Sequence, residues 1–321
     1  MEIAQALTDA VGEIRSRFPL LALREQEEMN GHCTFKIGGP ARALAMPESI
    51  EEAEEICRIL RRHALRPWVL GNGSNVVFPD EGTPKLFVLS TEKLQGIRVR
   101  EDGCIEAEAG VSLARLAGCA LEHGLAGLEF ASGIPGSVGG GILMNAGAYG
   151  GELKDAAVSV TALDLSTLRE EELTREQCAF GYRTSVFQTE GGRMVLKAAF
   201  RLAPGDRDAI FEKMKELNAR RREKQPLNLP SAGSTFRRPA GYYAAALIDE
   251  CGLKGAAVGG AQVSEKHAGF LVNRGGATEK ELRALMRHVQ DTVLREKGVR
   301  LEPEIILLPP SLSSAAEEAG A

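Results

Sequence analysis

Apolar positions in the opening stretch MEIAQALTDAVGEIRSRFP recur at three- and four-residue spacing with acidic residues among them. That pattern predicts an amphipathic helix and lacks the basic start and apolar run of an export signal. Helical spacing returns between Pro47 and His63 in SIEEAEEICRILRRH, where acids come early and bases late, the order that suits a helix dipole. A buried strand is expected at Pro67–Leu70, then the turn Gly71-Asn72-Gly73-Ser74-Asn75 and a short apolar run, Val76-Val77-Phe78. These elements read as a small mixed α/β lobe spanning 1–85.

From 86 to 110 short β-prone segments (LFVLST, GIRVR, GCIEAEAG) alternate with glycine and charged turns, as in an antiparallel meander. A helix is expected over Leu113–His123, with strands at Ala157–Leu165 and Met194–Leu202. Eight of the nineteen positions from Gly133 to Gly151 are glycine, which reads as a loop that a partner approaches closely. The second lobe is therefore α+β and spans 86–202. A highly charged helix, Asp206–Lys224, leads into the turn-rich QPLNLPSAGSTFRRP. After it come a helix near Tyr243–Glu250, a strand ending at Asn273, a long helix Glu279–Lys297 capped by Thr278, and a final strand LEPEIILL. This third lobe spans 203–308, and the polar residues 309–321 read as a disordered tail.

At 321 residues the chain is long enough for two or three lobes with a full core. Lys and Arg number 39 against 44 Asp and Glu, a net charge of −5, so no nucleic-acid-gripping surface is expected. No apolar run is long enough to span a membrane, and no segment demands an obligate protein partner. With this N-terminus, the expected compartment is the cytoplasm. The six cysteines form no CxxC pair and sit at no zinc-ligand spacing, so they are expected reduced and mostly packed, with no metal site.

Two glycine-rich elements carry the candidate chemistry. GNGSN resembles a nucleotide signature, but Val76-Val77-Phe78 and Pro79 follow it where a dinucleotide fold needs a helix. By itself it is a hairpin turn or a phosphate cradle of exposed N–H groups. The run ASGIPGSVGGGILMNAGAYGGE (131–152) has too many large apolar residues for a flexible linker, and its small residues let backbone come against a flat or phosphorylated ligand.

In this order the two elements resemble the FAD-binding domain of vanillyl-alcohol-oxidase-type flavoproteins. Seven segments narrow the likeness: TFKIGGPA (34–41), VLGNGSNVVFPD (69–80), GIPGSVGGGILMNAGAYGGE (133–152), FGYRTSVFQ (180–188), SAGSTFRRP (231–239), LIDECGLKG (247–255) and LEPEI (301–305). Together they resemble the UDP-N-acetylenolpyruvoylglucosamine reductase family, in its shorter form without an extra substrate loop. The resemblance implies non-covalent FAD, NADPH as reductant, an enolpyruvyl nucleotide sugar as oxidant, and UDP-N-acetylmuramate, a peptidoglycan precursor, as product.

It also implies site residues. Arg183, Ser234 and Glu304 fall on the catalytic positions. Gly71, Asn72, Gly73, Ser74 and Asn75, with Gly133, Ile134, Pro135, Gly136, Ser137, Gly139, Gly140, Asn145, Ala146 and Gly147, would hold the cofactor. Tyr149, Arg221, Gln225, Arg238, Lys254 and His267 would meet the substrate, His267 replacing a glutamine of some members. The residue types suit the chemistry. Hydride delivery to an enolpyruvyl carbon drives charge toward its carboxylate, which an arginine can receive in bidentate fashion, and a hydroxyl can protonate the neighbouring carbon. Glu304 must then be protonated, or neutralised by Arg183 or a lysine. The cluster Arg220, Arg221, Arg222 and Lys224 is either a solvated helix end or a diphosphate contact, and Trp68 is expected in the core. Two other readings stay open: an oxidase of the same domain class, which would lack the Arg, Ser and Glu trio, and a nucleotide-sugar-binding protein without flavin.

Overall fold

The structure, a computed structural model, describes residues 3–315 of the chain. Helix α1 (Ile3–Arg17) and helix α2 (Ile50–Arg62) pack on one face of a four-stranded sheet of β1 (Ala22–Glu28), β2 (Pro40–Met46), β3 (Trp68–Leu70) and β5 (Thr83–Ser90), in the order β1-β2-β5-β3. The short β4 (Val76–Val77) lies outside that sheet. Ser49 caps α2 by accepting from the Glu52 N–H at 3.2 Å, and Leu7, Ile14, Ile56, Leu60, Phe87 and Leu89 form the buried interface. β2 and β3 both run parallel to β5.

This corrects one expectation. The segment LFVLST belongs to the first sheet, because β5 pairs between β2 and β3, and the antiparallel meander begins only at β6 (Ile97–Val99) and β7 (Cys104–Glu108). The boundary expected at residue 85 cuts through β5. The second sheet orders the strands Glu170–Thr174, Ala157–Asp164, Arg193–Arg201, β7 and β6, all antiparallel, with helix α3 (Leu113–Glu122) against it.

A second correction concerns the glycine run, which contains a helix, α4 (Val138–Met144). Ser137 caps it and Asn145, with φ of 42°, ends it in the left-handed conformation. A Cβ at Gly139 would lie 3.0 Å from Ala109 Cβ, and one at Gly141 would lie 2.7 Å from a Leu153 methyl. The glycines let the helix sit against β7's extension and Leu153. Close packing, not looseness, explains them.

The helix Arg207–Lys224, capped by Asp206, packs Leu217 on the second lobe's core, and the third lobe is built on the helices Ala244–Glu250 and Glu279–Lys297, the latter opened by a capping box of Thr278 and Glu281. They enclose a core with Phe236, Leu271 and Val289 that also takes in Phe35, Ile37 and Val77 of the first lobe. Of LEPEIILL only Ile306–Leu307 is strand, paired parallel to β4. The tail departs from that expectation over part of its length: 309–311 are exposed, but 312–315 are half-buried or buried, with Ser314 2% exposed and hydrogen-bonded to Arg66, Lys85 and Phe87. Residues 316–321 lie outside the described residues. All six cysteines are unpaired, four of them buried. No described helix is long and apolar enough to cross a membrane, and no described cluster of acidic, histidine or cysteine residues could hold a metal.

Candidate active site

A cavity of about 380 Å³ opens where the three lobes meet. One wall is the turn between β3 and β4. The amides of Asn72, Gly73, Ser74 and Asn75 donate no hydrogen bond among the described residues, so four consecutive N–H groups remain available to an anion. Gly73, at φ 58°, bends the turn so tightly that a Cβ would strike the His32 carbonyl. The facing wall is Ile134, Pro135, Gly136, Ser137, Gly140, Ala146 and Gly147. A Cβ on Gly71 would lie 2.6 Å from Ser137 Oγ, so the two glycine-rich segments touch. Gly140 needs its lack of a side chain for a different reason, since nothing but Ser137 Oγ lies within 4 Å of its Cβ position on the cavity side.

Three residues of that expected set stand elsewhere. Gly133 and Gly139 do not line the cavity, and their Cβ positions meet Asn218 and Ala109 respectively. Asn145 is fully buried with its amide saturated: Nδ2 donates to Glu152 Oε2 at 3.0 Å and the Gly181 carbonyl at 2.9 Å, and Oδ1 accepts from the Lys154 N–H at 3.1 Å. It anchors the turn carrying Arg183. Trp68, expected in the core, is half-buried on the cavity wall, edge-on to Phe78 at 5.5 Å.

Arg183, Ser234 and Glu304 all line this one cavity. Arg183 has φ of 55°, a left-handed conformation costing about 1–2 kcal/mol for a residue with a side chain. Its turn is closed by the Gly181 N–H on the Thr184 carbonyl at 3.0 Å. So aimed, Nε donates to Glu304 Oε1 at 2.9 Å and one terminal nitrogen to the Gly147 carbonyl at 3.0 Å, leaving further donors of the fork free. Burial pushes the Glu304 carboxyl above its ordinary range, and the charges of Arg183 and Arg237 pull against that shift. Glu304 is fixed through its backbone as well, its N–H on the Thr235 carbonyl at 2.8 Å and its carbonyl accepting from Asn75 Nδ2 at 3.1 Å. Ser234 precedes that Thr235, and its hydroxyl makes no hydrogen bond among the described residues.

The residues expected to meet substrate divide. Arg221, Gln225 and His267 line the cavity. Arg221 Nε and Gln225 Oε1 are buried without a partner among the described residues, an arrangement that costs energy until a ligand supplies one. Burial moves the Arg221 guanidinium below its usual range. His267 Nδ1 accepts from the Gly269 N–H at 3.2 Å, which leaves the proton of the neutral ring on Nε2, and burial, helped by Lys254, holds it below the ordinary histidine value. Arg238, Lys254 and Tyr149 stand outside the cavity. Arg238 lies 4.0 Å over the Tyr243 ring, Lys254 Nζ pairs with Asp249 at 2.6 Å, and Tyr149 carries Arg220 over its ring at 5.2 Å on an adjoining hollow. Gly233, Phe270 and Ile306 also line the cavity. Gly233 lies inside the SAGSTF segment already singled out, whereas Phe270 and Ile306 carry no sequence signal beyond apolarity.

An anion nest, a wall of small residues and an apolar floor fit a flavin dinucleotide: the amides of 72–75 suit its diphosphate, and Trp68, Ile134 and Leu143 suit a flat ring. A family model for an FAD binding domain matches residues 41–169, and one for the C-terminal domain of UDP-N-acetylenolpyruvoylglucosamine reductase matches residues 225–308. A protein of Agathobacter rectalis named UDP-N-acetylenolpyruvoylglucosamine reductase is 45% identical over 309 residues, covering 93% of this chain and 98% of its own. One of the same name from Caldanaerobacter subterraneus subsp. tengcongensis is 45% identical over 305 residues, with 94% and 98% covered. A crystal structure of the Thermus caldophilus reductase superposes with a TM-score of 0.76 at 33% identity, covering 90% of this chain and 99% of that one.

Proposed function

The chain belongs to the UDP-N-acetylenolpyruvoylglucosamine reductase family, FAD-dependent oxidoreductases, and from that premise we propose that Arg183, Ser234 and Glu304 carry its reaction. It reduces the enolpyruvyl ether of UDP-N-acetylglucosamine to UDP-N-acetylmuramate, a peptidoglycan precursor, with NADPH as the reductant. Bound FAD supplies the hydride relay between the two substrates.

The observation that supports the trio is its convergence: one cavity brings Arg183, Glu304 and the unpartnered hydroxyl of Ser234 opposite the amide nest of 72–75. The Arg183 fork, held by Glu304 and the Gly147 carbonyl, keeps donors for the substrate carboxylate as charge builds there. Glu304 positions that fork and offsets its charge. The Ser234 hydroxyl supplies the proton to the carbon next to the one receiving hydride. Arg221 and Gln225 offer their unpartnered groups to the diphosphate and sugar, and the neutral His267 ring offers Nε2–H.

The lobes read from the sequence as 1–85 and 86–202, with β5 returned to the first, hold FAD, and 203–308 closes on the nucleotide sugar. We place the activity in the cytoplasm, where nucleotide sugars and NADPH are made, and its product serves cell-wall growth, cell shape and division. We see no need for a protein partner. Anaerobic mixing tests the reading: the yellow protein bleaches with NADPH, and adding the enolpyruvyl ether restores the colour. A colourless protein, or a flavin that the ether does not reoxidise, contradicts it.

A further inference from the structure

The last described residues return from the third lobe to the first and fasten both ends of the segment that carries the amide nest. At the downstream end, Asn75 Nδ2 donates to the Glu304 carbonyl at 3.1 Å, the Ile306 N–H to the Asn75 carbonyl at 2.9 Å, and the Leu308 N–H to the Val77 carbonyl at 3.0 Å. At the upstream end the Arg66 N–H donates to the Ser314 carbonyl at 2.6 Å, the Ser314 N–H to the Lys85 carbonyl at 2.9 Å, and the Phe87 N–H to Ser314 Oγ at 2.8 Å. Between these anchors Leu308 and Leu312 pack on the cluster that includes Trp68, Leu70 and Phe78.

The position of Ser314 explains why it takes three bonds. Pairing of β3 with β5 begins at Trp68 and Val88, so Arg66, Lys85 and Phe87 lie just before the register where the two strands meet. Phe87 is fully buried, Arg66 half-buried and Lys85 exposed, and one buried serine partners a backbone group of each through its carbonyl, N–H and hydroxyl, so the Phe87 N–H is the one that would be left buried without a partner. The segment from Arg66 to Asn75 is thereby held at both ends, and its free amides keep one arrangement before any ligand arrives. Preorganisation of this kind raises affinity by removing the ordering cost from binding.

We propose that the C-terminal strap, residues 309–315 with Ser314 as its anchor, positions the 71–75 turn for FAD. Ser314 is a positioning residue, remote from the reacting atoms. The proposal rests on the reading that this turn holds FAD, and by linkage FAD must in return tighten the strap.

The test is reconstitution of apoprotein with FAD, following the quenching of flavin fluorescence, in four forms of the full chain or its truncations. A chain ending at Ala315 binds as the intact chain does. Ser314→Ala, which leaves the Phe87 N–H unpaired, binds about tenfold more weakly, the weight of one buried hydrogen bond. A chain ending at Leu308 binds more weakly still, and if it fails to fold, Ser314→Ala decides. Adding FAD to the intact apoprotein slows hydrogen exchange at the Arg66 and Phe87 amides by a larger factor than at amides of the remote helix Glu279–Lys297, a difference that stabilisation of the whole fold would not produce. Unchanged FAD affinity in Ser314→Ala, or exchange at those amides indifferent to FAD, overturns the strap's role. Gly140→Val separates the two claims, because normal FAD binding there overturns the cradle itself, whereas loss there with unchanged affinity in Ser314→Ala overturns only the strap.

Discussion

Arg183 Nε donates to Glu304 Oε1 at 2.9 Å across 121 residues of chain, tying the turn after Phe180 to the extended segment that follows Leu301. The pair answers the question posed by a glutamate beside a substrate carboxylate. Arg183 is the cation that offsets it, with Arg237 as a second positive charge nearby and no lysine bonded to it among the described residues.

Arg183→Lys keeps the charge but loses the planar fork. It slows reoxidation by the enolpyruvyl substrate roughly 10²-fold, the scale of one lost donor to a developing anion. Reduction by NADPH, which has no such carboxylate to meet, stays within a few fold. Single-turnover traces of the two half-reactions check this, and equal slowing of both contradicts it.

The raised Glu304 carboxyl sets a pH signature. Protonation removes its hold on Arg183, so activity falls as pH drops through a value above the ordinary carboxylate range, and Glu304→Gln abolishes that limb at the cost of a lower plateau. For stability the sign is opposite to that of a salt-bridged acid. A folded-state value above the unfolded one gives stability that is full below the unfolded value and is lost as pH rises through the folded value. Melting temperatures of the two proteins across that window check it.

His267 gives the complementary case. Its half-buried ring titrates below the ordinary histidine value, so its contribution is present above that value and lost as pH falls through the depressed one. His267→Gln, which cannot charge, flattens the acid-side loss of stability in urea titrations. A glutamine variant with the same pH slope as the parent contradicts the assignment.

Much of the helix pattern was legible because its signals are local. Ser49 and Thr278 stand directly before their helices with partners three residues on. The glycine run misled because composition records a missing side chain but not the Ala109 and Leu153 atoms that forbid one. The strand Thr83–Ser90 was assigned to the wrong sheet because both its neighbours lie earlier in the chain, beyond the reach of any hairpin pattern. Ser314 sits in a polar, low-signal tail, and the amide its hydroxyl receives is 227 residues away. The site residues came from the resemblance, while their geometry, including the saturated amide of Asn145 and the exclusion of Arg238 and Lys254 from the cavity, needed the fold.

That exclusion separates two arginines that the sequence resemblance puts in one substrate-binding set. Arg221→Ala removes a buried, unpartnered donor from the cavity wall and raises the KM of the nucleotide sugar steeply with a smaller change in kcat, the sign of lost uniform binding. Arg238→Ala, which unstacks Tyr243 and removes the Nε bond to the Tyr242 carbonyl outside the cavity, changes KM far less. Steady-state kinetics that rank them the other way place the diphosphate on the rim.

The glycines of the cradle are not equal probes of FAD. A side chain at Gly73 meets the His32 carbonyl and an unfavourable φ, and one at Gly139 meets Ala109, so valine at either disturbs the fold before the ligand. Gly140→Val projects into the cavity with only Ser137 Oγ nearby, and the protein should fold with a cooperative melt yet purify colourless. Normal flavin content would remove 133–147 from the cofactor site.

The assignment of Ser234 as proton donor is decided by the two half-reactions of Ser234→Ala. The substitution removes one unpartnered hydroxyl and little volume, so FAD stays bound and NADPH reduces it within a few fold of the parent rate. Reoxidation by the enolpyruvyl ether, which needs a proton as well as a hydride, slows by roughly 10²–10⁴-fold, or about 3–5 kcal/mol of barrier. Rapid-mixing absorbance under anaerobic conditions reads both steps on one sample. A selective loss in the second step is the predicted result, and equal slowing of both, or of neither, would contradict it.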